Sequence, residues 1–158
     1  MSLHWMQGLV ALALLSTGVV YGTDVFFALV ARTALRRADE ASLTRVLGHL
    51  HAVADVRMPI VGATALLSTA GLALLAGGWG TRPGGLALLA LAGLLTQLMA
   101  YVRVAQPVNR AQTAAAQQDI IPPDARALQT RWDSVIVLRA GALTLAMLAL
   151  VSAALTLP

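Results

Sequence analysis

Long apolar segments alternate with shorter polar ones along this chain. The apolar segments cover roughly residues 5–31, 53–77, 86–108 and 133–156. A helix needs about 20 mainly apolar residues to cross the hydrocarbon core of a bilayer, so each segment is long enough to span it once. The pattern predicts an all-α protein in which four transmembrane helices form a bundle, with residues 1–158 as a single integral membrane domain.

The polar connections also contain helical patterns. In the first connection, RTALRRADEASLTRVLGHLHAV, Leu43, Leu47 and Leu50 recur at helical spacing and Ser42 can cap the start. We expect an amphipathic interfacial helix that lies on the membrane surface or runs straight into the second span. The third helix is expected to end at QPVN, with a polar connection over residues 109–131 that is broken at IPPDAR and ends in a short helix leading into the fourth span.

Positive charge lies almost entirely on one side of the predicted spans. All 11 basic residues are arginine, and all except Arg82 belong to the first and third connections or their flanks. This asymmetry is the positive-inside signature, which predicts a multi-pass protein with both termini outside. The Ala/Leu-rich, lysine-free composition is typical of a bacterial protein, so we expect the bacterial cytoplasmic membrane.

Composition excludes several classes of protein and site. Hydrophobic residues make up 58% of the chain and charged residues only 11%, whereas soluble domains contain about 25% charged residues. Most of the surface is therefore expected to face the lipid bilayer. The net charge of +4 does not indicate nucleic-acid binding, because the arginines flank apolar spans, where they set topology and meet anionic headgroups. The absence of cysteine excludes disulfides, thiolate metal sites and a cysteine nucleophile.

Eight ionisable side chains fall within the spans or at their edges: Asp24, His49, His51, Asp55, Arg57, Arg103, Asp133 and Arg139. A charge in hydrocarbon costs about 2.5–3.5 kcal/mol even on the insertion scale. Asp24 is short and lies about 10 Å from the helix end, so it should pair with an arginine or carry a proton. Arg57, Arg103 and Arg139 are candidate partners from three other helices. These pairs either only hold the helices in register, or line a cytoplasm-facing pocket for an anionic or phenolic ligand.

The histidines and the third helix suggest further candidates for this pocket. His51 and Asp55 are spaced i, i+4, so Asp55 can orient the imidazole and make it a general base. Gln97 and Tyr101 share one face of the third helix, with Arg103 close by. The alternative is that a histidine ring merely lies at headgroup level, and the sequence does not decide whether His49 or His51 is functional.

The histidine spacing does not indicate a metal site. His49 and His51 would point roughly 200° apart on a helix, so they cannot share one ion. His4 lies at the opposite end of the bundle, which leaves no second axial histidine for a membrane haem. A haem held by one histidine stays open, and the cofactor, if there is one, is unknown.

A further pattern joins the third and fourth spans. Pro107 and Asn109 close the third span, Arg131 and Trp132 open the fourth, and Arg139 follows seven residues after the tryptophan. The first helix adds GTDVFFALVAR. Together these features resemble the anthrone oxygenase-like family of small four-helix membrane proteins, long known as a domain of unknown function.

The resemblance implies an oxidoreductase that converts an anthrone to an anthraquinone without a dedicated organic cofactor. It implies an apolar aromatic or quinone-type substrate, whose enolate oxygen the arginines would hold. The family commonly has His or Asn between the Trp and Arg of the last helix, where this chain has Ile136, so this protein either lacks a catalytic role for that residue or has moved the role to His51. The catalytic candidates are thus His51, Asp55 and Asp24, and the substrate-binding candidates are Arg57, Arg103, Asn109, Trp132, Arg139, Tyr101 and Gln97.

Two other functional classes remain open. The protein could be a ligand-, haem- or quinone-binding membrane module without catalysis, or a structural subunit of a larger membrane complex. A homo-oligomer is compatible with each reading. The native substrate is not encoded in any pattern described above.

Overall fold

The computed structural model describes residues 3–157. Nearly all of them belong to four long helices: α1 His4–Leu35, α2 Glu40–Leu75, α3 Arg82–Gln117 and α4 Ala125–Thr156. Each helix is long and apolar enough to cross a membrane, and the described part of the chain contains no β-strand. The predicted all-α bundle of four spanning helices is confirmed, and the protein is a multi-pass membrane protein.

The helices are arranged as a ring. Each packs against its neighbours in sequence, and α4 returns to pack against α1, whereas the diagonal pairs α1–α3 and α2–α4 scarcely touch. This is the arrangement of an up-and-down four-helix bundle with short connections. The first and third turns lie at what we call the arginine-rich end, and the start of α1, the end of α4 and the second turn lie at the opposite end.

Specific caps fix the ends of α2 and α3. Asp39, rather than the expected Ser42, caps α2 by accepting hydrogen bonds from the backbone N–H of Ser42 at 2.8 Å and from its hydroxyl at 2.7 Å. These bonds hold the pKa of Asp39 below its usual value. The second turn uses Gly77 at φ 91°, a left-handed conformation that favours glycine. Thr81 then caps α3 by accepting from the N–H of Gly84 at 3.2 Å.

The connections are shorter than expected. The amphipathic segment runs straight into the second span, since α2 begins at Glu40. The third helix does not end at QPVN but continues to Gln117, so the connection predicted over residues 109–131 shrinks to residues 118–124. A π-helical turn, Tyr101–Ala105, precedes Pro107. We attribute the continuation to this wider turn, which can accommodate the missing proline N–H and the crowded carbonyl four residues back.

Two glycines let neighbouring helices approach closely. A Cβ atom on Gly48 of α2 would lie 2.5 Å from the carbonyl oxygen of Gln112 in α3. A Cβ atom on Gly93 of α3 would lie 2.6 Å from the carbonyl oxygen of Ala142 in α4. Both contacts are too close for any larger residue, so glycine is required for tight packing at each end of α3.

The helices are longer than the hydrocarbon core is thick. They contain 32 or 36 residues, or about 48–54 Å at 1.5 Å per residue, against about 30 Å of hydrocarbon. Trp5 and Trp79 are exposed at the opposite end, where interfacial tryptophans are common. Counted from the helix ends there, four residues lie at a depth of about 26–30 Å, near the far boundary of the hydrocarbon: Asp24, Asp55, Tyr101 and Arg139.

Candidate functional site

A cavity of about 330 Å³ lies inside the bundle, lined by residues from all four helices. It lies between the apolar cluster of the opposite end and that of the arginine-rich end. Apolar residues form much of its wall, including Val20, Met58, Gly62, Leu66 and Leu94. Its polar lining residues are Thr23, Asp24, His51, Asp55, Gln97, Tyr101, Asn109, Trp132 and Arg139.

Asp24 and Arg139 form a buried ion pair across this cavity. The Nη2 and Nε atoms of Arg139 donate to the two carboxylate oxygens of Asp24 at 2.7 and 3.0 Å. Only 2% of Asp24 and 7% of Arg139 is exposed. The guanidinium carbon also lies 5.7 Å from the ring centre of Tyr101 and 5.6 Å from that of Trp132, within reach of cation–π attraction. The predicted pairing of Asp24 with an arginine is confirmed, and the partner is Arg139.

Asp55 is held by the third helix. A single carboxylate oxygen of Asp55 accepts two hydrogen bonds, both of 2.9 Å. One comes from the hydroxyl of Tyr101 and the other from the side-chain amide of Asn109. The carbonyl oxygen of Asn109 in turn accepts from the indole N–H of Trp132 at 2.9 Å. Asn109 therefore links the carboxylate on α2 to the tryptophan on α4, and three helices share one chain of hydrogen bonds.

His51 lines the cavity and is only 3% exposed. Its ring stacks on Trp132 with centres 6.1 Å apart and an angle of 28°. The imidazole of His51 does not donate to Asp55 in the described part of the chain, and the donors to that carboxylate are Tyr101 and Asn109 instead. His49, two residues earlier, is exposed outside the cavity, so His51 is the histidine that a ligand there can reach.

A pair of glutamines lies beside His51. The amide of Gln112 is a neighbour of the imidazole and donates to Gln129 at 3.2 Å. The Nδ1 atom of His51 and the Oε1 atom of Gln112 are both buried without a hydrogen-bond partner among the described residues. Neither glutamine was predicted as a site residue, because the third helix was expected to end at QPVN, before residue 112. The i, i+3 spacing of Asn109 and Gln112 on a continuous helix would have placed them on one face.

Two of the predicted arginines do not reach the cavity. Arg57 and Arg103 are exposed on the outside of α2 and α3, and neither lines the cavity. At their depth a long arginine side chain can extend to the headgroups. Of the three arginines expected to hold a substrate oxygen, only Arg139 is in position to do so. The predicted residues Gln97, Tyr101, Asn109 and Trp132 all line the cavity.

The cavity reaches the surface along the flank of α1 and α2. Its exposed lining residues are Thr23, Leu50, Pro59 and Ala63. Three of them, Ala63, Pro59 and Thr23, lie at hydrocarbon depth, about 18–29 Å from the helix ends at 1.5 Å per residue. Most of the exposed lining therefore lies at hydrocarbon depth, and Leu50 extends it toward the arginine-rich end.

No group of three histidine or acidic side chains that could hold a metal ion occurs within residues 3–157. Comparison of the chain with models of protein families, with curated proteins and with solved structures gives no match.

Proposed function

We propose that the cavity binds a small, neutral aromatic or quinone-type ligand taken from the bilayer. The observation that supports this most is an apolar cavity of about 330 Å³ with polar side chains from four helices gathered at one end. This volume is at the lower end of the range for small-molecule sites, about 300–1,000 Å³, and such sites combine apolar walls with a few placed polar groups.

The charges around the cavity favour a neutral ligand. Asp24 and Arg139 neutralise each other, and Asp55 adds a carboxylate that has no arginine or lysine partner among the described residues. An anionic ligand would be repelled by that carboxylate. A phenol hydroxyl or a quinone carbonyl is neutral and forms hydrogen bonds, so it meets no such repulsion.

His51 is the group that we assign to the polar end of the ligand. Its Nδ1 atom can donate a hydrogen bond, and the Oε1 atom of the neighbouring Gln112 can only accept one. The two atoms would pair if the amide turned its oxygen toward the ring. The imidazole would then present Nε2 as an acceptor, which can bind a phenol or take a proton.

We further propose an oxygenase-like reaction, as the family resemblance implies. With an anthrone as substrate, His51 removes one methylene proton, and the carbanion reacts with dioxygen to give a peroxide anion. The peroxide takes a proton back and loses water, so one anthrone and one O₂ yield one anthraquinone and one water. Gln97 lines the cavity and is the side chain that we assign as donor to the substrate oxygen.

The position of Ile136 supports giving the role of base to His51. Ile136 occupies the site where the family commonly has His or Asn, and it is fully buried in the apolar cluster beside Trp132 and Phe27. It does not line the cavity. A base acting on a ligand in this cavity must therefore come from another helix, and His51 of α2 is in that position.

Turnover by the protein in lipid nanodiscs tests this proposal. Anthrone should be converted to anthraquinone with one O₂ consumed per product, measured by chromatography and an oxygen electrode. His51→Gln should reduce the rate to that of empty nanodiscs, whereas His49→Gln, an exposed neighbour outside the cavity, should retain it. Wild-type protein no faster than empty nanodiscs would rule out the oxygenase reaction, and a fully active His51→Gln variant would rule out His51 as its base. Saturable ligand binding without turnover would instead favour the second candidate, a binding module.

We also propose that the arginine-rich end faces the cytoplasm of a bacterium, with both termini outside. The distribution of the arginines supports this orientation.

A further inference from the structure

A second cleft, separate from the cavity described above, lies at the arginine-rich end between the end of α1 and the start of α4. Its volume is about 660 Å³. It is lined by Arg32, Arg36, Arg126, Gln129, Thr130, Asp133 and Ser134. Three arginines face one carboxylate there, so the cleft has an excess of positive charge.

The three arginines are not equivalent. Arg126 is committed to the first turn, since it donates to the carbonyl oxygens of Leu35, at 3.1 Å, and Ala38. It also lies 4.0 Å from the carboxylate of Glu40. Arg32 and Arg36 form no ion pair with any described residue. Two guanidinium groups in the cleft therefore remain available for an anion from outside the chain.

The carboxylate in the cleft, that of Asp133, already has a hydrogen-bond donor within α4. One oxygen of Asp133 accepts a hydrogen bond from the side-chain amide of Gln129 at 2.8 Å. The hydroxyls of Thr130 and Ser134 donate to backbone carbonyls within α4, at 2.8 and 2.7 Å. Each hydroxyl oxygen can still accept a hydrogen bond, but the donors free to hold an anion are the two guanidinium groups.

The depth of the cleft reaches the lipid headgroups. A bilayer measures about 30 Å across its hydrocarbon and about 40–45 Å with its headgroups, so the far headgroup layer lies about 30–37 Å from the opposite end. Ser134 and Asp133 lie at about 33 and 35 Å from the end of α4, within this layer. Arg32 lies about 40 Å from Trp5, from where its long side chain can extend back to the headgroups.

We propose that Arg32 and Arg36 bind the phosphate of an anionic phospholipid. Guanidinium groups bind phosphate through two parallel hydrogen bonds, and basic pockets between helices at this depth are suited to such headgroups. The lipid would join α1 to α4 beside the turn that Arg126 holds. This assignment is independent of the ligand in the first cavity.

Native mass spectrometry of the purified protein with added lipid tests the proposal. Phosphatidylglycerol should bind in one tight copy and phosphatidylcholine should not. In the Arg32→Gln/Arg36→Gln double variant that copy should bind on the order of 25-fold more weakly, since one basic residue near a headgroup contributes about fivefold. The matched control is Arg37→Gln/Arg45→Gln, which removes the same charge at the same end but outside the cleft and should retain the tight copy.

Other outcomes would overturn the proposal. Equal loss in both double variants would mean that only the general positive charge attracts lipid. Displacement of phosphatidylglycerol by millimolar inorganic phosphate would assign the cleft to a soluble anion. Arg32 is half-buried, whereas Arg36 is exposed, so the Arg36→Gln single variant separates loss of lipid binding from loss of folding. It should bind phosphatidylglycerol about fivefold more weakly.

Discussion

Arg139 of α4 holds Asp24 of α1 through two hydrogen bonds of 2.7 and 3.0 Å. This ion pair joins the first and last helices of the bundle, whose contact closes the ring. It lies near the hydrocarbon boundary, and a charge left there without a partner would cost free energy of folding. The pair therefore has a structural role whatever the cavity binds.

Loss of Arg139 should destabilise the protein more than loss of Asp24. Arg139→Leu leaves Asp24 buried without a donor and should cost about 3–5 kcal/mol. Asp24→Leu should cost about 1–2 kcal/mol less, because the guanidinium keeps the ring faces of Tyr101 and Trp132. Unfolding of detergent-solubilised protein by heat or denaturant measures both. The Asp24→Leu/Arg139→Leu double variant should be more stable than Arg139→Leu, and strict additivity of the two losses would contradict the pairing.

Gly48→Ala should loosen the contact between α2 and α3. The added methyl group would lie 2.5 Å from the carbonyl oxygen of Gln112, and such overpacking typically costs about 1–3 kcal/mol. The same melting experiments measure it. Gly141→Ala is the matched control, since nothing lies within 4 Å of its Cβ position. That variant should be as stable as wild type, or more stable by up to about 1 kcal/mol from helix propensity. Equal stability of the two alanine variants would show that α2 and α3 are not so close.

Asn109→Leu should be more damaging than Tyr101→Phe. Asn109 accepts from Trp132 and donates to Asp55, so its loss leaves the buried indole N–H of Trp132 unpaired and also removes one of the two donors to Asp55. The unpaired indole N–H alone costs about 1–3 kcal/mol. Tyr101→Phe removes only one of the two donors to Asp55 and leaves no donor unpaired. A smaller loss of unfolding free energy in Asn109→Leu than in Tyr101→Phe would contradict the hydrogen-bond chain.

The proposed orientation can be tested with single cysteines, because the chain has none of its own. Gly80→Cys lies in the second turn and Gln118→Cys in the third, and both positions are exposed. In intact cells with a permeabilised outer membrane, a membrane-impermeant maleimide should label only Gly80→Cys. Labelling of Gln118→Cys alone would reverse the topology.

The number, type and approximate position of the spans could be predicted from the sequence, because apolar segments of spanning length leave few alternatives. The end of α3 could not. Prolines usually end helices, and the π turn before Pro107 that carries α3 on to Gln117 has no signature in a single sequence. The close contact between Gly48 and Gln112 could not be predicted either, because Gln112 lies in this extension of α3.

The candidate site could be predicted in part. A buried carboxylate needs a cationic partner or a proton, so pairing of Asp24 with an arginine was one of the two alternatives that physical chemistry allowed. Choosing Arg139 over Arg57 and Arg103 required knowledge of which helix faces point inward. The direction of Asp55 likewise depends on Asn109, which the sequence analysis placed at the end of a helix rather than inside one.

Trp132 lies in the wall of the cavity, so its fluorescence can report whether a ligand binds there. Trp5 and Trp79 are exposed at the opposite end, so the Trp5→Phe/Trp79→Phe variant retains Trp132 as its single tryptophan. Titration of this variant with menadione, a quinone that quenches tryptophan fluorescence, distinguishes a site from bulk lipid. A matched variant that retains only Trp79 reports quenching at the membrane surface.

Trp132 emission should fall along a saturating curve, whereas Trp79 emission should fall in proportion to the quinone in the bilayer. Gly62→Leu should abolish the saturation, because the position faces open space in the cavity wall and a leucine would fill it. Quenching of Trp132 that is linear, matches that of Trp79 and is unchanged by Gly62→Leu would contradict the account.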